Sequence, residues 1–149
     1  MKTVLSNKLM NNRLILRTFI SVTIMNVALI SCDLKTSGNE VESVSTSQTL
    51  EMIRSENNVV VLDVRTPEEY SAGHISTAIN INIYDEDFAN KVGKLDKDKT
   101  YIVHCAANVE NGRSHKSIQI MKDLGFANLM SMEGGFAAWY KDGLQVESN

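Results

Sequence analysis

Proline occurs once in the 149 residues, glycine eight times and cysteine twice. So little proline and glycine excludes a low-complexity or collagen-like chain, and two cysteines permit at most one disulfide. No apolar run reaches the roughly 20 residues that a membrane-spanning helix needs. The longest, Thr18 to Ser31, has 14 residues and is interrupted by Asn26. No basic face and no interleaving of aromatic with basic residues appears, so nothing calls for a nucleic-acid partner. What remains, 43% apolar and 22% charged residues, is enough for one domain with one modest core.

The first 31 residues differ in kind. They carry Lys2, Lys8, Arg13 and Arg17, contain no acid, and end in the apolar run, which is the n-region and h-region pattern of a secretory signal. The run closes on Leu29-Ile30-Ser31-Cys32. That tetrapeptide resembles the lipobox of bacterial lipoproteins, in which the cysteine becomes the lipidated first residue after cleavage. The resemblance implies a signal peptide over residues 1–31, lipid on Cys32, and a bacterial cell-envelope location on the periplasmic or surface side of a membrane. Cys105 is then the only thiol of the mature chain. An unpaired cysteine kept in an oxidising compartment points to reactivity. Removing residues 1–31 leaves 11 basic residues (15 minus 4) against 18 acidic ones, a formal charge of −7. An anionic substrate must therefore be drawn by local groups and not by the field of the whole protein.

Residues 32–44 are polar and without period, which reads as a flexible tether. A helix is expected from Ser45 or Ser47 to about Ser55, with Leu50 and Ile53 inward. Val59 to Asp63 has the continuous β-branched pattern of a strand covered on both faces. Pro67 opens a short helix that ends by Gly73, with Glu68 and Glu69 at the positive end of its dipole. Ala78 to Ile83 alternates as a half-buried strand, and Tyr84 to Lys94 carries Phe88 and Val92 at helical spacing. A strand from Thr100 to His104, a helix from Arg113 to a glycine stop at Gly125, a strand from Asn128 to Met132 and a helix from Gly135 to Lys141 complete the order. Strands alternating with helices predict an α/β domain with a largely parallel sheet, whose ligands bind beyond the carboxyl ends of the strands.

Cys105 lies at such an end. It is followed by Ala106, Ala107, Asn108, Val109, Glu110, Asn111 and Gly112, and then by Arg113 and Ser114 at the start of a helix. Backbone amides and the helix dipole at that place favour thiolate over thiol, which makes Cys105 a candidate nucleophile. Small side chains leave the loop amides unshielded, as in an anion nest. Arg113 adds a planar fork suited to oxyanions. A buried, inert cysteine is the competing reading. Asp63 and Arg65 flank a strand end and can pair with each other. Trp139 and Phe136 sit at helical spacing and read as core. His104 should point to the opposite side of its strand from Cys105, so its adjacency is poor evidence for a Cys/His pair.

Three separated motifs carry a family resemblance: Leu62 to Ile75 (LDVRTPEEYSAGHI), the thiol after Val103-His104, and Glu133 to Val146 (EGGFAAWYKDGLQV). Together they resemble rhodanese-like domains over residues 45–147. The resemblance implies a five-stranded parallel sheet flanked by helices on both faces. It also implies sulfur transfer through a persulfide on Cys105, from a small anionic sulfur donor to a thiol acceptor, with no cofactor and no metal. Residues 106–114 would bind the substrate, and Asp63, Arg65 and His74 would give structural support. Two departures stand out. Seven residues separate Cys105 from Arg113, more than in ordinary single-domain rhodaneses and more than in the wider ring of rhodanese-fold phosphatases and arsenate reductases. Ser76 and Thr77 replace the Pro-Gly usual after the GHI motif, a change expected to affect a turn and not the chemistry. The long loop keeps three readings open: sulfurtransferase, oxyanion chemistry of the phosphatase or arsenate-reductase kind, and a non-catalytic binding domain.

Overall fold

Apolar residues at period two build the strands, and those at helical spacing build the helices that cover them. The computed structural model describes residues 41–107 and 109–149. The leader, Cys32, the tether up to residue 40, and Asn108 lie outside the described residues. The strands are Glu42–Val44 (β1), Val59–Asp63 (β2), His74–Ile75 (β3), Ile79–Asn80 (β4), Thr100–His104 (β5), Leu129–Met132 (β6) and Val146–Glu147 (β7). The helices are Thr46–Ser55 (α1), Pro67–Ala72 (α2), Phe88–Val92 (α3), Arg113–Asp123 (α4) and Gly135–Lys141 (α5). Five strands form one parallel sheet in the order β1-β6-β5-β2-β4. A separate antiparallel pair joins β3 to β7. No helix among the described residues is long and apolar enough to cross a membrane.

The sheet has a core on each face, and strand alternation assigns the residues. Leu62, Val64, Tyr101, Val103 and Cys105 pack with Phe88 of α3 and with Ile118 and Met121 of α4. Val61, Ile102 and Met132 point the other way and pack with Trp139 of α5, with Leu50 and Ile53 of α1 at the margin. Burying each of the larger side chains contributes roughly 1.5–3 kcal/mol. Trp139 meets the polar demand of its buried indole by donating Nε1–H to the Gln145 carbonyl at 2.9 Å.

Local chemistry sets the boundaries. Ser45 caps α1 and Thr66 caps α2, each through a capping box, with Gln48 and Glu69 reaching back to the cap amide. Gly125 ends the turn after α4 at φ 89°, a conformation glycine adopts without strain.

Four features differ from the sequence expectations. Residues 42–44 are a strand and not tether: β1 pairs with β6 from Glu42 opposite Met130 to Val44 opposite Met132. It covers an edge that would otherwise be open, and it shows no periodic signal because only Val44 is buried. The strand expected over 78–83 is two residues long. Ile81 and Ile83 still donate to the carbonyls of Asp63 and Val64 at 3.0 and 3.3 Å, but the Asn80 side chain takes the carbonyls of Asp63 and Arg65 and ends the ladder. The expected helix at 84–94 starts only at Phe88, because Asn82 accepts from Tyr84 N and donates to Asp85, claiming those residues for a turn. The β3–β7 pair was not legible in either two-residue strand.

Thr77 sits at φ 74°, a region costly for a β-branched residue, at the position where the GHI motif is usually followed by glycine. The side chain is exposed, so little packing offsets that cost. Thr77→Gly should therefore raise the unfolding free energy by about 1 kcal/mol, read from the urea midpoint at unchanged m-value.

Candidate functional site

The carboxyl ends of β2, β5 and β6 converge on one rim, and Cys105 leaves the central strand there. The alternation that sends Val103 and Cys105 toward α4 sends His104 to the other face. Cys105 is 4% exposed, and its Sγ donates to Ser114 Oγ on the first turn of α4 at 3.5 Å. Ser114 is itself buried. The thiol thus lies against the N-terminus of an 11-residue helix, where the dipole and the amides of the first turn stabilise negative charge.

The loop is held from the opposite side by α5. Phe136 N donates to Cys105 O and Ala137 N to Ala106 O, both at 2.8 Å. Trans peptide geometry then points the N–H groups of Ala106 and Ala107 away from α5. The approach demands glycine: Gly135 sits at φ 58°, and a Cβ there would be driven into the Cys105 carbonyl and lie 2.9 Å from Ala107 N. Further along, Val109 to Gly112 close a turn of their own, with Gly112 N donating to Val109 O at 2.9 Å and Asn111 at φ 56°. The extra loop length is taken up in that turn, with Val109, Glu110 and Asn111 exposed. Glu110 accordingly faces solvent. Asn108 lies outside the described residues.

Arg113 does not stand open to the loop. Its Nη1 and Nη2 donate to Glu69 Oε2 and Oε1 at 2.5 and 2.9 Å, a bidentate pair linking α4 to α2. Hydrogen bonding from Arg113 holds the Glu69 carboxyl down to about 2 from its usual 4.5, helped by the Thr66 amide and opposed by burial. The Glu69 hydrogen bond likewise raises the Arg113 pKa, with a smaller electrostatic contribution from Cys105. Arg113 therefore lies within electrostatic reach of the thiol.

Asp63 and Arg65 pair in the interior and do not face the loop. Arg65 Nη2 donates to Asp63 Oδ2 at 2.6 Å and to the Gly73 carbonyl at 2.8 Å, and its guanidinium lies 3.9 Å from the Phe136 ring centre. Both side chains are buried. Removing either partner would leave an uncompensated buried charge, which costs about 3–5 kcal/mol. His104 is fully buried beside them, with Nε2 3.7 Å from Asp63 Oδ2 and without a hydrogen bond. Burial pushes its pKa down against the pull of Asp63, so it is neutral, and its Nδ1–H donates to Cys105 O at 3.3 Å. His74 is held away from the loop: it donates from Nδ1 to the Tyr70 carbonyl at 3.0 Å and stacks on the Tyr70 ring.

The structure thus brings Cys105, Ala106, Ala107, Ser114 and Arg113 to one rim, and places Asp63, Arg65 and His74 behind it. Sequence reasoning missed Glu69 and Gly135. Glu69 had a signal, since Thr66-x-x-Glu69 is a capping-box spacing that puts the carboxylate at a helix N-terminus on this rim.

A family profile described as "Rhodanese-like domain" matches residues 45–142. The chain is 30% identical over 97 residues to thiosulfate sulfurtransferase GlpE of Shewanella oneidensis, covering 65% of this chain and 90% of that protein. It is 30% identical over 136 residues to rhodanese-like domain-containing protein 14, chloroplastic, of Arabidopsis thaliana, covering 64% of this chain but only 61% of that one. The crystal structure of a rhodanese-related protein from Thermoplasma volcanium superposes with a TM-score of 0.62 at 32% identity, covering 72% of this chain and 99% of that one.

Because the folded pKa of Glu69 lies below its ordinary value, the Glu69–Arg113 pair stabilises the protein fully above about pH 4.5, and this is lost as the pH falls toward about 2. The carboxylate is 35% exposed, so solvent screening limits the contribution to about 1 kcal/mol. Urea unfolding of wild type and Glu69→Gln should differ by that amount at pH 7, and the two curves should merge across that acid window.

Proposed function

The chain belongs to the rhodanese-like domain family, and from that premise we propose that it is a sulfurtransferase with Cys105 as nucleophile. One observation carries this reading: a buried thiol at the carboxyl end of the central strand, set against the first turn of α4 in a loop whose amides α5 turns outward. The curated relative named thiosulfate sulfurtransferase supports the class of reaction. The Cys105 thiolate attacks the outer sulfur of thiosulfate or the terminal sulfur of a hydropersulfide. The S–S bond of the donor breaks, and sulfite or a thiolate departs with the bonding pair, leaving sulfur on Cys105 as a persulfide. An acceptor thiolate then attacks that outer sulfur and releases Cys105 as thiolate. The amides of Ala106 and Ala107 and the α4 dipole stabilise the anionic sulfur in both halves. Arg65, Asp63 and His74 act as supports.

Incubation with thiosulfate or an alkyl hydropersulfide should add about 32 Da, one sulfur atom, to Cys105, as read by intact and peptide mass spectrometry. Cys105→Ser should abolish the gain. Absence of an adduct with both donors would sink the sulfurtransferase reading and leave the oxyanion-chemistry and non-catalytic readings.

The protein acts, in this proposal, on the outer side of a bacterial membrane, anchored by lipid on Cys32. The support is the basic, acid-free leader, its apolar run and the Leu-Ile-Ser-Cys stop. Cys32→Ser should move the expressed full chain from the membrane fraction to the soluble one. A wild-type chain recovered wholly in the soluble fraction would rule the anchor out.

A further inference from the structure

The charge balance around the loop discriminates between the two donor types that the proposed sulfurtransferase activity allows. Arg65 is matched by Asp63, and both fork nitrogens of Arg113 are taken by Glu69. Glu110, in the loop, adds a negative charge. His115 and Lys116 are exposed; Lys116 is two residues on from the buried Ser114, about 200° around α4, so it faces away from the thiol. At the rim itself the Arg113 charge is therefore matched by Glu69, while Asp63 and Arg65 neutralise each other behind it.

A dianion drawn to Arg113 must compete with the Glu69 carboxylate, which already accepts from Nη1 and Nη2. A carboxylate about 4 Å from an anion opposes it by about 1 kcal/mol even in water-like surroundings. A hydropersulfide presents at most one charge at its reacting end and needs only amide N–H donors there. Independently, two of the exposed large apolar side chains lie at the mouth of the loop. Val109 is 61% exposed within it, and Tyr84 is 68% exposed with its ring 6.0 Å from the Arg113 guanidinium. Such a rim suits the organic portion of a donor and offers nothing to an inorganic dianion.

We infer that Glu69 is a specificity-determining residue which, by occupying Arg113, selects alkyl hydropersulfides over thiosulfate as sulfur donors. Glu69 acts through Arg113 and is a positioning residue for it. The inference rests on the sulfurtransferase reading only for the name of the donor. Glu69→Gln is the suitable variant, because glutamine still completes the capping box with Thr66 and removes only the charge.

The experiment compares wild type, Glu69→Gln and Glu69→Asp with thiosulfate and with an uncharged alkyl hydropersulfide. Wild type should give the higher kcat/KM with the hydropersulfide. Glu69→Gln should raise the thiosulfate-to-hydropersulfide ratio about tenfold, the effect of one nearby unit charge, whereas Glu69→Asp should keep the wild-type ratio. A second readout needs no sulfur transfer: sulfate should protect Cys105 from iodoacetamide in Glu69→Gln and not in wild type. A ratio unchanged in Glu69→Gln, or equal sulfate protection of both proteins, would overturn the inference. Should wild type accept sulfur from neither donor, the sulfurtransferase reading falls, and the sulfate protection alone decides whether Glu69 excludes dianions.

Discussion

The buried Asp63–Arg65 pair is the contact on which the rim depends. Arg65 spans from the end of β2 to the Gly73 carbonyl and lies flat on Phe136, so one guanidinium ties the β2 strand, the end of α2 and the first turn of α5. The first turn of α5 in turn grips the Cys105 loop through two amide hydrogen bonds. An ion pair taken out of water carries a large desolvation cost and is tolerated when its geometry is close and its remaining donors are satisfied. Here Arg65 makes bidentate contact, a carbonyl contact and a ring contact. What the pair contributes is position, and the thiol inherits it at second hand.

A second pair, Glu69–Arg113, lies further out and has a different consequence. It is partly exposed, so it adds little to stability, but it settles the electrical character of the loop. An arginine at the far end of a loop that begins with a cysteine reads from sequence as an anion hook; here Glu69 accepts from both of its terminal nitrogens, so its charge is paired. In the proposed reaction, the amides of the loop and of α4 are then the groups left to stabilise anionic sulfur. The later part of the long loop closes a turn of its own between Val109 and Gly112.

Much of the fold was legible residue by residue. The β-branched run at Val59–Asp63, the strand at Thr100–His104, the Pro67 start of α2 and the Gly135–Lys141 helix all fall where local pattern places them, because each rests on periodicity or on a cap chemistry contained within a few residues. The opposed directions of His104 and Cys105 also followed from the strand alone. The elements that escaped were those decided by distant partners. Strand β1 exists because β6 offers an edge, β3 and β7 exist because they meet each other, and α3 is short because Asn82 makes a turn. Within the site, Cys105, Ser114 and the loop were legible as a strand-to-helix junction; the partner of Arg113 was not, since Glu69 lies 44 residues earlier.

By itself, the sequence determined that a thiol would stand at the carboxyl end of a central parallel strand, before a helix, in a chain of the rhodanese-like kind. Those properties depend on local periodicity, local turns and motifs in order along the chain. The tertiary structure alone decided what surrounds that thiol. It set α5 beneath the loop, sent His104 and Arg65 to the back, and placed Glu69 on Arg113, because charge pairing depends on distances that the chain sets only when its strands have come together.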